Sequence, residues 1–250
     1  MRNIRKKNKR EVRKMTEICL MCGKCIEVCP LGIDSLNIKI AQRENISYRM
    51  KSDFGYLGSQ QVNETTRQQV ESQSRKVAKS QSLESESESK SESKIVYFAG
   101  CMSHLTPKIT RSMVKIFKEA NENYEFLDMN GSICCGRPMM LTGKKKEAQA
   151  LIDKNTELIK NSGAKRLVLS CPICYKVFKE EYNLEGIEIL HHTQYINELI
   201  EKEKIHIDRS DKRYVYHDPC ELGRAFKVYD EPRNIIDNIG LLTAAKSNKD

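Results

Sequence analysis

The sequence has no tryptophan, and aromatic residues make up only 6% of its 250 positions. Large aromatic side chains carry much of the buried area in most cores. A chain this poor in them, with a mean hydropathy of −0.60, is not expected to pack evenly from end to end. No apolar run approaches the ~18 residues that a transmembrane helix needs. No apolar stretch follows the basic N-terminus, which argues against a secretory leader. What the chain does have is cysteine, ten of them. Small disulfide-stapled secreted proteins carry more than ~8–10% in a shorter chain. Ten cysteines in a chain without a leader are expected to be metal ligands or redox thiols of a cytoplasmic protein.

Lys and Arg total 43 against 34 Asp and Glu, a formal charge of +9. Most of it is local. Arg2, Arg5, Lys6, Lys7, Lys9, Arg10, Arg13 and Lys14 face only Glu11, so the first fourteen residues hold +7 and the rest is nearly balanced. Such a tail reads as a solvated terminus, or as a contact for a partner or for the inner face of a membrane. No aromatics interleave with the charges, so a single-strand stacking platform is not indicated and no nucleic-acid partner is expected. Residues 80–94 read SQSLESESESKSESK, with Leu83 as their one apolar side chain, and 60–79 are almost as polar. Too little can be buried there to offset ordering, so 60–94 is expected to be a disordered linker.

From Ile95 the pattern changes. IVYFAG (95–100), YEFLDM (124–129), RLVLS (166–170), IEIL (187–190) and RYVY (213–216) read as five strands. Helical spacing predicts helices over 107–120, 144–161, 173–182 and 193–202 between them. That alternation predicts an α/β fold on a parallel sheet.

The cysteines fall into two groups. Cys19, Cys22, Cys25 and Cys29, followed by Pro30, have the spacing C-x2-C-x2-C-x3-C-P, the bacterial ferredoxin run for a [4Fe–4S] cluster. Closely spaced thiolates on a tight turn wrap one face of a cubane, and Gly23 permits the close approach. A zinc ribbon would need ~15–20 residues between its two C-x2-C knuckles, and only Gly23 and Lys24 stand there. In two-cluster ferredoxins the fourth cysteine serves the other cluster. No second run lies between Cys29 and Cys101, so Cys29 either completes its own cluster, reaches a partner chain or has no ligand role.

Cys101, Cys134, Cys135, Cys171 and Cys174 form the second group. Cys101 follows one expected strand and Cys171 another, with Pro172 suited to the first turn of the next helix. Cys134 and Cys135 lie in a loop, with Gly136 beside them. On a parallel sheet all of these fall at the carboxyl edge, where α/β folds bind ligands, and helix N-termini there favour thiolate. Cys171-Pro172-Ile173-Cys174 also looks like a thioredoxin-type pair, which leaves Cys101, Cys134 and Cys135 without a role. Zinc remains an alternative, although it needs only four ligands.

The segment 96–192 resembles the cysteine-rich CCG domain of heterodisulfide reductase and of the iron–sulfur subunits of glycolate oxidase, lactate-utilisation and anaerobic glycerol-3-phosphate dehydrogenase systems. Gly100-Cys101, Cys134-Cys135-Gly136 and Ser170-Cys171-Pro172-Ile173-Cys174 carry the resemblance. It implies a non-cubane [4Fe–4S] cluster held by the five cysteines, which would then be the catalytic ligands. A ferredoxin run ahead of it resembles the fused subunits of these systems. The expected organisation is a basic tail (1–16), a small helical ferredoxin-like module (17–59), the linker (60–94) and a parallel-sheet CCG domain (95–212). Val215 to Arg224, with Cys220, looks like the opening of a second CCG domain (213–250). Aligning Cys220 with Cys101 puts the next cysteine pair beyond Asp250, so a truncated repeat is expected, with the tail LLTAAKSNKD unpacked and Cys220 as a further candidate ligand.

The function implied is an iron–sulfur oxidoreductase component passing electrons from the ferredoxin-type cluster to the CCG-type cluster, for heterodisulfide-reductase-like disulfide reduction. Its partners would be a flavoprotein, a ferredoxin-type protein or a membrane cytochrome, with a small thiol or disulfide as substrate. One alternative is an electron-transfer subunit of a flavin-dependent 2-hydroxy-acid or glycerol-3-phosphate dehydrogenase, whose flavin would sit elsewhere because no G-x-G-x-x-G occurs. The other is a non-catalytic metal-binding module. His104, His191, His192 and His217 lie near strand ends as hydrogen-bonded loop residues or proton carriers, and His206 is expected at the surface.

Overall fold

The computed structural model describes residues 11, 13–16, 18–45, 94–129, 131 and 133–243. The first ten residues of the basic tail and 60–93 of the expected linker lie outside the described residues. The N-terminal part holds a single helical turn α1 (Lys24–Glu27) and the helix α2 (Ser35–Asn45). Then follow β1 (Ile95–Phe98), α3 (Cys101–Leu105), α4 (Pro107–Glu119), β2 (Tyr124–Phe126), α5 (Arg137–Leu141) and α6 (Lys145–Asn161). The chain continues through β3 (Arg166–Leu169), α7 (Pro172–Glu181), β4 (Glu188–His191), α8 (His192–Glu201) and β5 (Arg213–Tyr214). A π-helical turn (Cys220–Arg224), α9 (Asp230–Ile239) and β6 (Leu241–Leu242) complete it.

The expected parallel sheet is present, with the order β2-β1-β3-β4 and every pairing parallel. Alternation along β1 sorts its side chains onto two faces. Ile95 and Tyr97 meet Met113 and Phe117 of α4 and Tyr195 and Leu199 of α8. Val96 and Phe98 meet Ile152 and Ile159 of α6 and Val177 and Phe178 of α7. Strands buried on both faces read as continuous apolar runs, which is why IVYF and RLVL were legible. Among the described residues no helix is long and apolar enough to cross a membrane.

Four expectations need correction. β5 does not join the main sheet; it pairs in parallel with β6 in a separate two-stranded sheet. Its helix α9 returns the chain to its own neighbour, which makes a second βαβ unit. Leu241 and Leu242 of the supposedly unpacked tail are therefore a paired strand, although 244–250 lie outside the described residues. β2 stops at Phe126 rather than Met129, because Asp128 turns inward to accept from the backbone N–H groups of Ala99 and Gly100 at 2.8 and 2.7 Å. Finally, α3, α5 and α9 were not anticipated: α3 and α5 are five residues each, too short to show a period.

Candidate metal centre

The sheet order reverses between β1 and β3, since the chain leaves β1 toward β2 on one side and leaves β3 toward β4 on the other. Ligands of open α/β sheets bind beyond the strand ends at such a switch point. Cys101 opens α3 just past β1, and Cys171 is the N-cap of α7 just past β3. Cys174 lies one turn into α7. Cys134 and Cys135 come in on the loop before α5, whose N-cap is Gly136.

The five thiols stand close enough to shift one another's titration. Cys134 accepts from Cys101 and from Cys135, and with the Gly136 N–H these bonds hold its thiol down to about 3, against the opposing effect of burial. Donating to Cys134 pushes the Cys101 and Cys135 thiols well up. Cys174 stands between Cys135 and Cys171 and is raised by donating to both. Cys171, which accepts from Cys174 and from the N–H groups of Cys174 and Ile173 at the start of α7, comes down to about 7. All ten cysteines of the chain are free.

At Gly100, with φ +86°, an added Cβ would lie 2.9 Å from Cys174 Sγ and 3.1 Å from Cys171 Cβ, so only glycine lets the end of β1 pass this close to the two cysteines. Five cysteines gathered at one sheet edge are the donor set of an iron–sulfur cluster, and by that chemistry the site fits one. Among the described residues no three His, Cys, Asp or Glu side chains meet around one ion position.

Several supporting residues escaped the sequence reading. Asn155, 1% exposed on the inner face of α6, donates to the Cys134 carbonyl and to Tyr182 Oη, both at 2.9 Å. Tyr182 Oη in turn donates to the Cys135 carbonyl at 3.2 Å. The legible signal was a polar residue among Ile152 and Ile159 on an apolar helix face. Asp128, besides holding Ala99 and Gly100, lies 3.2 Å from His104 Nε2.

The four cysteines of the N-terminal run stand close in sequence but bond elsewhere. Cys19 Sγ reaches Met21 Sδ at 3.9 Å and Cys25 Sγ meets Ser35 Oγ at 2.7 Å. Backbone N–H groups of Ile33, Leu31 and Gly32 lower the half-buried Cys29 thiol. Cys220 opens the π-helical turn, which packs on α7; its neighbour Glu221 meets Arg137 at 3.4 Å. His191 caps α8 through Nδ1, and both His191 and His192 are pushed below the usual imidazole range by burial. His217 is exposed, and His206, as expected, lies at the surface, 3.4 Å from Asp208.

Residues 95–179 match the family model of the cysteine-rich domain CCG. The chain is 28% identical over 233 residues to one subunit of the dihydromethanophenazine:CoB–CoM heterodisulfide reductase of Methanosarcina mazei, covering 88% of this chain and 56% of that protein. It is 26% identical over 226 residues to one subunit of the CoM/CoB fumarate reductase of Methanothermobacter marburgensis, covering 88% and 44%. It is 30% identical over 149 residues to the EtfAB:quinone oxidoreductase of Syntrophomonas wolfei, covering 57% and 21%. The chain thus spans about half the length of the first two relatives. No solved structure matches.

Proposed function

We propose that this chain, with its CCG domain at residues 95–179, is an iron–sulfur component of an oxidoreductase that relays electrons between two cysteine-held clusters. Cys19, Cys22, Cys25 and Cys29 would hold a ferredoxin-type [4Fe–4S] cluster. Cys101, Cys134, Cys135, Cys171 and Cys174 would hold a non-cubane one, and the reaction served would be reduction of a small disulfide. Clusters of these kinds supply one-electron storage at potentials their surroundings tune. The chain's own residues do the rest. The five cysteines bind as thiolates, so cluster binding releases protons. Asn155 and Tyr182 fix the Cys134–Cys135 backbone, and Asp128 fixes the loop into Cys101. Burial of Cys135, Cys171 and Cys174 keeps water from them.

The observation that carries this reading is the convergence of five cysteines, Cys101, Cys134, Cys135, Cys171 and Cys174, beyond the strand ends at the switch point. The redox partner is a flavoprotein, a ferredoxin-type protein or a membrane cytochrome. Ile18, Leu20, Val28 and Leu31 surround the N-terminal run and are 67–89% exposed among the described residues, a surface suited to such a contact. Anaerobic reconstitution is expected to give about eight irons per chain. Replacing Cys134 and Cys135 by Ala together removes about half of them and leaves the ferredoxin-type signal. Zinc alone, or spectra indifferent to that replacement, would overturn the proposal in favour of a non-catalytic metal-binding module.

The similarity to an EtfAB:quinone oxidoreductase favours a second reading, a pure relay serving a flavin-dependent dehydrogenase. Disulfide reduction by the isolated chain with an artificial donor separates the two. Turnover supports the first reading, and its absence in a fully loaded chain supports the relay.

A further inference from the structure

Arg43 belongs to neither cysteine group, yet it touches the surroundings of both. It lies near the end of α2 and is 3% exposed. Its guanidinium donates to the Thr16 carbonyl from Nε at 3.2 Å and from Nη2 at 3.1 Å. Nη2 also donates to the carbonyl of Cys19, the first cysteine of the N-terminal run, at 2.8 Å. Nη1 points the other way and donates to the Leu141 carbonyl at 3.2 Å. Leu141 ends α5, the helix that begins immediately after Cys134, Cys135 and Gly136. One rigid, planar fork therefore spans the first ligand of one group and the helix that carries the other. A lysine ammonium has no comparable fixed geometry.

The backbones close up around it. A Cβ at Gly143 would lie 2.4 Å from the Glu44 Cα, so α2 passes the turn after α5 at a distance only glycine allows. Glu44 and Lys145 then pair across the seam at 2.9 Å. On the far side of the run Glu27, which stands between Cys25 and Cys29, lies 3.8 Å from Arg224 and 3.6 Å from Lys227, in the segment that follows Cys220. Those outer pairs are partly exposed and contribute little each. The buried fork is the specific element.

We propose that Arg43 is a positioning residue that locks the Cys19–Cys29 run onto the Cys134–Cys135 loop, so that the two cysteine groups form one fixed path instead of two tethered modules. The fixed path rests on the relay proposed above; the docking itself does not.

Two variants test it from opposite sides of the seam, Arg43→Ala in α2 and Gly143→Ala in the turn after α5. Neither residue is a cluster ligand. In the full-length apo chain, a zero-length carbodiimide reagent is expected to join Glu44 to Lys145, read as a cross-linked tryptic peptide. That peptide is lost in both variants while the circular dichroism of the α/β unit persists. Should Arg43→Ala unfold the N-terminal run, Gly143→Ala alone decides, because it leaves every residue of the run in place. A cross-link that survives in Gly143→Ala, or fails to form in the unaltered chain, overturns the docking. In the anaerobically loaded and reduced chain, electron paramagnetic resonance is expected to show dipolar broadening between two spins. The variants lose the broadening and keep each separate signal. A chain that cross-links but loads no iron refutes the relay and leaves the docking standing.

Discussion

Burial decides the chemistry available to the adjacent histidines 191 and 192. Desolvation takes the His192 ring down to about 4 from an ordinary 6.5, opposed by the carbonyls of Leu169 and Ser170. The folded chain thus refuses a proton that the unfolded chain accepts, so stability is complete above about pH 6.5 and declines as the pH falls toward about 4. Urea midpoints measured across that window are expected to fall with pH. The decline should be shallower in His192→Gln, which keeps a donor for the same carbonyls but cannot titrate. A midpoint indifferent to pH would contradict the assignment. At Gly100 the constraint is space. Gly100→Ala places a methyl 2.9 Å from Cys174 Sγ, and is expected to reduce iron uptake at the five-cysteine site while leaving uptake at the N-terminal run unchanged, as metal analysis and absorbance would show. The five cysteines were legible in the sequence because their spacing survives in one dimension. Gly100 stood beside them in the motif, but Asp128 was not legible as their support, because a carboxylate capping two N–H groups 28 and 29 residues away leaves no local pattern.

The helices differ in how their tasks are written. α4 and α6 were legible from apolar spacing at Met113 and Phe117, and at Ala148, Ile152 and Ile159. α5 carries no such period over five residues, yet it delivers the Cys134–Cys135 loop and ends on the carbonyl that Arg43 holds. α6 has a second role through Asn155, whose amide ties the loop to Tyr182. Asn155→Leu leaves the Cys134 carbonyl and Tyr182 Oη short of a partner, a loss of about 1–3 kcal/mol. Denaturant unfolding of the apo chain is the check. A variant as stable as the parent would mean that water replaces the amide at no cost.

Residues 213–243 look in sequence like the beginning of another unit, and in space they are part of the first core. Leu222, fully buried, and Val228 pack in the same cluster as Val96, Phe98 and Phe178, while Phe226 meets Tyr175 edge-on at 5.2 Å. Leu222→Ala is expected to cost about 2–5 kcal/mol and to lower the whole α/β unfolding transition. An early, separate transition of the C-terminal segment would show that it folds apart. The same segment brings Cys220 beside α7 and Arg224 toward Glu27, so both cysteine groups and the second βαβ unit belong to one packed arrangement.

What the sequence by itself determined is local chemistry: two cysteine groups with recognisable spacings, and apolar runs and helical periods sufficient for a parallel α/β sheet. These are short-range properties, set by how few bonds separate one ligand from the next and by alternation along an element. Only the tertiary structure decided that β5 pairs with β6, that Asn155, Tyr182 and Asp128 brace the cysteine loops, and that Arg43 joins the two groups. The braces and the Arg43 joint depend on burying a polar group against a partner distant in sequence. Burial makes an unmet hydrogen bond costly, so the partner must be supplied by whichever element packs there, and that is settled by packing, not by spacing.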